Sequence, residues 1–250
     1  MKHFYYAADW GFGKYAFVPN VLVSVGTMYR KKFNLNRTMI PNSTERLFLD
    51  SGGYSFFIKW GKYPFSVEEY VSFANQIQDE YPLTEVAIMD YACEPDINRT
   101  NLKTNKERID STIQNALSCI DYEPNLPWVP IVQGYTLQEY RYCLDQYKEV
   151  GLYDDDFHLW AIGSLCARKK VGGIRKIVVD LSREINYPIH TFGMTITALK
   201  DPQIFFNIHS SDSGAWSFNA KSHQKLRDLT RYHKKITSLI DGFQYQEVLQ

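Results

Sequence analysis

Short apolar, β-branched or aromatic runs recur along the chain, each closed by polar residues or glycine. They are Phe4–Ala7, Val21–Val25, Leu47–Leu49, Val86–Met89, Trp128–Val132, Leu159–Ile162, Ile189–Phe192 and Phe205–Ile208. Most are near-continuous rather than alternating, which is the pattern of strands buried on both faces. Between them lie five segments with helical character: Val67–Glu80, Lys103–Ile120, Leu137–Val150, Gly172–Glu184 and Ala220–Ile240. Three open on a capping box, Ser66-x-x-Glu69, Thr104-x-x-Glu107 and Thr136-x-x-Glu139, where the hydroxyl takes an orphan N–H and the Glu reaches back. Strand and helix alternating in this way are the mark of parallel βαβ units. Eight candidate strands without a Pro/Ser linker predict one α/β domain over residues 1–250, a closed (β/α)8 TIM-type barrel. A doubly wound open sheet is the alternative, because periodicity neither counts strands nor closes them.

The 250 residues are 44% hydrophobic and 22% charged, a composition that excludes disorder, collagen and coiled coil. Lys plus Arg (28) balances Asp plus Glu (28), so any basic surface is local. The C-terminal helical segment carries such a surface, with Lys221, Lys225, Arg227, Arg231, Lys234 and Lys235. No apolar run approaches the roughly 18 residues that span a bilayer, and the start reads as no signal peptide. The four cysteines, Cys93, Cys119, Cys143 and Cys166, are far apart and form no CxxC pair. Reduced thiols in a cytoplasmic protein are the expectation.

In either architecture a ligand binds beyond the carboxyl ends of the strands. The residues there are Asp50-Ser51-Gly52-Gly53-Tyr54, Asp90, Gln133-Gly134, Gly163-Ser164-Leu165, Phe192-Gly193-Met194 and Asp212-Ser213. Polar groups ending buried strands are costly unless they bind something or one another. For a single aspartate a helix cap or turn is the ordinary explanation; for the set in register it is a weaker one. There is no GxxxxGK[ST] and no GxGxxG.

Leu49-Asp50-Ser51-Gly52-Gly53-Tyr54, Ile88-Met89-Asp90, Val132-Gln133-Gly134, Ala161-Ile162-Gly163-Ser164-Leu165, Phe192-Gly193 and Asp212 occur in this order. In that order they resemble the strand ends of the tRNA-guanine transglycosylase superfamily. After Cys166 the chain has no cysteine, so the Cys-x-Cys-x-x-Cys…His zinc site of the tRNA enzymes has no counterpart. The stretch Ser213-Gly214-Ala215-Trp216-Ser217 also departs from that family's Pro-Thr-Arg segment. This pared-down form, a barrel with a basic C-terminal helix and no zinc lobe, is more similar to the branch that places 7-deazaguanines into DNA, many of them virus-encoded.

The resemblance implies a base exchange with no cofactor and no metal. Asp212 would be the nucleophile that holds the sugar, and Asp50 the general acid/base. Asp90, Gln133, Ser51, Gly53, Gly163, Ser164 and Leu165 would surround the base, with Tyr54 and Phe192 stacking on it. Arg168, Lys169, Lys170, Lys221 and Lys225 would form a phosphate-tracking rim. The partners implied are DNA, or alternatively tRNA, and a free 7-deazaguanine; a homodimer or accessory protein is also open. An inactive base-binding accessory subunit is the reading of another class. His158, His190 and His209 read as structural.

Overall fold

The computed structural model describes the chain apart from residues 10, 15, 98–102, 155–156, 218–220 and 249–250. The strands are β1 (His3–Ala7), β2 (Asn20–Ser24), β3 (Arg46–Asp50), β4 (Leu83–Ala87), β5 (Trp128–Val129), β6 (Ile131–Val132), β7 (Trp160–Ile162), β8 (Ile189–Thr191) and β9 (Ser210–Ser213). Their order in the sheet is β5-β4-β3-β2-β1-β9-β8-β7-β6, with every pairing parallel. The two ends of that order, β5 and β6, are separated in the chain by Pro130 alone. They are the two halves of one strand. Pro130 has no N–H to give a ladder, so β5 pairs with β4 and β6 with β7, and the ring closes through the proline. The architecture is a TIM-type barrel, and the doubly wound alternative falls because the sequential order never reverses.

The helices are α1 (Val25–Met28), α2 (Gly53–Trp60), α3 (Val67–Glu80), α4 (Asn105–Tyr122), α5 (Leu137–Glu149), α6 (Val171–Ser182), α7 (Ile196–Leu199), α8 (Pro202–Phe205) and α9 (Lys225–Val248). All three capping boxes form, at the starts of α3, α4 and α5, with both the hydroxyl and the Glu engaged. Each such cap contributes about 1 kcal/mol. The predicted start of the last helix, Ala220, lies outside the described residues; the helix runs from Lys225 and packs on the outside of β1. There the Tyr6 hydroxyl meets His233 Nδ1 at 2.8 Å, and Leu229 and Ile236 are buried.

One strand was misplaced by the apolar pattern. Phe205–Ile208 does not form a strand: Asp201 caps α8, Pro202 occupies its first turn, and Phe205 turns its ring onto Phe243 of α9 at 4.3 Å. Asp before Pro is a helix-start signal, and it outweighs the apolar run behind it. The closing strand is instead Ser210-Ser211-Asp212-Ser213, buried along its whole length. A strand this polar survives burial because its side chains find partners. Ser210 Oγ meets His190 Nδ1 at 2.9 Å, Ser211 Oγ donates to the Thr191 carbonyl at 2.9 Å, and Ser213 Oγ accepts from the Ala215 N–H at 3.2 Å.

Inside the barrel Tyr5, Phe48 and His190 form an aromatic plug, with ring centroids 4.8–5.9 Å apart. On its amino-terminal side Arg46 Nε donates to the Tyr5 hydroxyl at 3.0 Å, and the same guanidinium pairs with buried Glu85. Phe192 packs on the other side, against Phe48 and His190. The barrel is therefore filled from one end to its middle, and a ligand has room at the carboxyl end of the strands.

Candidate active site

A cavity of about 450 Å³ opens there. Its walls include Asp50, Gly53, Tyr54, Asp90, Gln133, Gly163, Ser164, Phe192 and Asp212, so the strand ends named from sequence converge on one space. Ser51 and Leu165 stand behind the wall, both almost fully buried. Gly193, named with Phe192 from the sequence, also lines the wall, whereas Ser24, Glu94, Cys166 and Thr195 are wall residues that the strand-end pattern does not single out. None of these four lies in a recognisable motif. Ser24 ends β2 and caps α1, a serine-before-helix signal that the sequence does contain.

Asp50 and Asp212 reach the cavity from β3 and β9, with β2 and β1 between them in the sheet. Enclosure in the barrel mouth pushes the Asp50 carboxyl up to about 6; the Ser24 hydroxyl and Gly52 N–H pull against this, and the Asp212 charge adds to it. Asp212 Oδ1 accepts the Gly193 N–H at 2.8 Å and lies 3.4 Å from Nε2 of fully buried His190. His190 is thus more than a core ring. Its Nδ1 is occupied by Ser210, and its Nε2, with no hydrogen-bond partner, faces the carboxylate.

Asp90 is held on both oxygens. Ser51 Oγ donates to Oδ1 at 2.7 Å and Gln133 Nε2 donates to Oδ2. The Tyr63 hydroxyl reaches Ser51 Oγ at 2.9 Å and donates to the Asp90 carbonyl at 2.7 Å. Burial raises the Asp90 carboxyl to about 7, with the Asp50 charge in the same direction and the Ser51 and Gln133 donors opposing. Gln133 continues the chain: Ser164 Oγ lies 2.6 Å from its Oε1 and 2.9 Å from Glu94 Oε2. Tyrosines from the surrounding helices fix the strand ends from outside, Tyr70 on the Ala87 carbonyl and Tyr140 on the Gly163 carbonyl.

Gly163 is a glycine for space. A β-carbon there would lie 2.2 Å from Gln133 Nε2 and 2.6 Å from its Cδ. Gly163→Ala should therefore drive the Gln133 amide off Asp90 and Ser164. Losing a hydrogen bond to a charged group costs about 1.5–3 kcal/mol, so the variant is expected to lose about that much stability in denaturant unfolding. Unchanged stability would mean that the amide is not displaced.

The five rim candidates divide. Lys169, Lys170 and Lys221 are exposed. Arg168 is turned inward, donating to the Ser164 and Tyr135 carbonyls at 3.1 and 2.5 Å, and Lys225 is paired with Asp9. Among the described residues no group of three His, Cys, Asp or Glu side chains is placed to hold a metal ion, and no helix is long and apolar enough to cross a membrane.

A parallel barrel with a carboxylate-lined cavity at the carboxyl ends of its strands has the architecture of a TIM-barrel enzyme. The family model of DpdA, deoxypurine in DNA protein A, matches residues 1–242. The chain belongs to this family, the DNA-guanine transglycosylases of the tRNA-guanine transglycosylase superfamily, whose members modify guanine in DNA by transglycosylation. Among curated proteins none matches the chain.

Proposed function

We propose that this chain exchanges a guanine in DNA for a 7-deazaguanine, such as 7-cyano-7-deazaguanine, by double displacement on one sugar carbon. The observation that carries the reading is that Asp50 and Asp212 open onto a single cavity in unlike surroundings. A covalent glycosyl transfer requires two carboxyls at one sugar, one to attack and one to hand a proton to the departing base, and burial raises the Asp50 carboxyl toward the second role. Gly193 and His190 both approach Oδ1 of Asp212, which leaves Oδ2 for C1′. As the C1′–N9 bond breaks, the Asp50 proton passes to the departing base; as the 7-deazaguanine attacks the aspartyl-sugar, Asp50 takes the proton from its N9.

Guanine offers N1–H and an exocyclic amine as donors, and Asp90 is the acceptor aimed into the cavity. Tyr54 and Phe192 line the same walls, and stacking on such rings contributes about 1–3 kcal/mol per base. A duplex hides C1′, so the nucleotide enters flipped out or single-stranded. The exposed Lys169, Lys170 and Lys221 would follow the phosphates, with binding that weakens between about 50 and 200 mM salt.

The test is incorporation. With radiolabelled 7-cyano-7-deazaguanine and either DNA or tRNA, label should enter DNA alone. Label in tRNA alone would replace the substrate; label in neither, with guanine still bound, would favour an accessory base-binding role.

A further inference from the structure

The hydrogens around Ser164 can be counted. Its Oγ lies 2.8 Å from the Cys93 N–H, 2.6 Å from Gln133 Oε1 and 2.9 Å from Glu94 Oε2. The backbone N–H can only donate, and the hydroxyl has one hydrogen to give. While Gln133 Nε2 donates to Asp90, Gln133 Oε1 can only accept, so the Ser164 hydrogen goes there. Glu94 must then supply its own hydrogen, as a neutral acid. With the amide turned over, Gln133 donates to Ser164, Ser164 donates to a Glu94 carboxylate, and Gln133 Oε1 faces Asp90, which must carry the proton instead. Each arrangement holds one proton, at opposite ends of the chain.

We propose that Asp90, Gln133, Ser164 and Glu94 form a one-proton chain in which Glu94 takes the proton when a guanine-type base binds, leaving Asp90 ionised as the acceptor for the base edge. This rests on the reading of Asp90 as the base-reading carboxylate. Glu94 is a positioning residue acting through Ser164 and Gln133, and it makes the site selective for bases that present donors. Switching turns the amide over, reverses the Ser164 hydroxyl, and moves one proton from the Asp90 carboxyl to that of Glu94; nothing is gained or lost.

The surroundings suit a shared proton. Glu94 is 2% exposed and burial holds its carboxyl above the usual range. Facing it are Asp96, the Arg168 and Arg108 guanidinium groups, the Tyr54 and Tyr140 phenols, and the Cys93 and Cys166 thiols. Asp90 faces Asp50, Tyr63, Tyr70, Tyr147 and Cys143. The phenols and thiols in both sets are raised, so they stay neutral where the carboxyls titrate.

At alkaline pH the chain loses its proton, both carboxylates are charged, and a binding base must draw one proton back onto Glu94. Calorimetry of guanine binding in buffers of different ionisation enthalpy reads this directly. The wild-type protein should take up one proton per guanine at alkaline pH, and its affinity should fall about tenfold per pH unit there. In Glu94→Gln, whose amide donates permanently to Ser164, proton uptake should vanish and the alkaline fall should flatten. No uptake by the wild type, or uptake that persists in Glu94→Gln, overturns the chain. If Glu94→Gln does not fold, the wild-type measurement decides alone. Undiminished guanine binding by Asp90→Asn would instead remove the base-reading role on which the chain depends.

Discussion

Asp212→Asn is expected to lose at least about 10⁴-fold of the base-exchange rate while keeping its fold. The magnitude follows from removing a nucleophile that acts with its partners as a unit. The amide keeps an oxygen for the Gly193 N–H, and the aromatic plug beneath it does not depend on the charge. Structure should therefore persist where chemistry does not. Rates of label incorporation, with a melting curve as control, separate the two. Exchange within tenfold of wild type would move the covalent step to another group.

Asp50→Asn is expected to remove about 10²- to 10⁴-fold of the rate, the usual worth of a general acid/base, and to make the protein more stable at alkaline pH. The second effect follows from the sign of the shift. Asp50 binds its proton more tightly when folded, at about 6, than in the unfolded chain, near 3.9. Its contribution to stability is fully present below about pH 4 and is lost as the pH rises through 6. Asparagine has no such loss. The melting temperature of the wild type should fall between pH 5 and pH 8, and that of Asp50→Asn should fall less, by the order of a few degrees. Asp90, raised to about 7, contributes a fall of the same sign, reduced in the variant because the Asp50 charge is one of its causes. An equal fall in both proteins would mean that Asp50 is not held in a strained state.

Much of the barrel was written locally. Leu47, Phe48 and Leu49 are each wholly buried, so β3 reads as an apolar run whatever surrounds it. The capping boxes at Ser66, Thr104 and Thr136 involve neighbours three residues apart, and all three form. What failed was non-local. Ser210–Ser213 is a core strand only because Thr191, His190 and Ala215 supply hydrogen-bond partners. No hydropathy pattern contains that. The closure at Pro130 was equally hidden, since a proline inside an apolar run says that a ladder is interrupted but not which two strands take the halves.

The candidate site divides in the same way. Asp50, Asp90 and Gln133 end apolar runs, Asp212 lies in the polar strand and is legible only through the resemblance, and all four line the cavity. Glu94 follows Asp90 by four residues and reads as loop polarity; its contact with Ser164 spans 70 positions. His190 sits inside an apolar run, where a histidine reads as core, and its approach to Asp212 depends on the pairing of β8 with β9. Side chains that work through another residue leave no spacing for a sequence to display.

Double displacement requires that Asp212 bond to the sugar while the base is absent. Protein incubated with a guanine-containing DNA oligonucleotide, then denatured and digested, can be searched by mass spectrometry for a peptide bearing the DNA. Double displacement predicts a covalent adduct on the peptide containing Asp212, abolished in Asp212→Asn and discharged when 7-cyano-7-deazaguanine is supplied. An adduct on Asp50, or exchange that proceeds at full rate with no adduct formed, would contradict it.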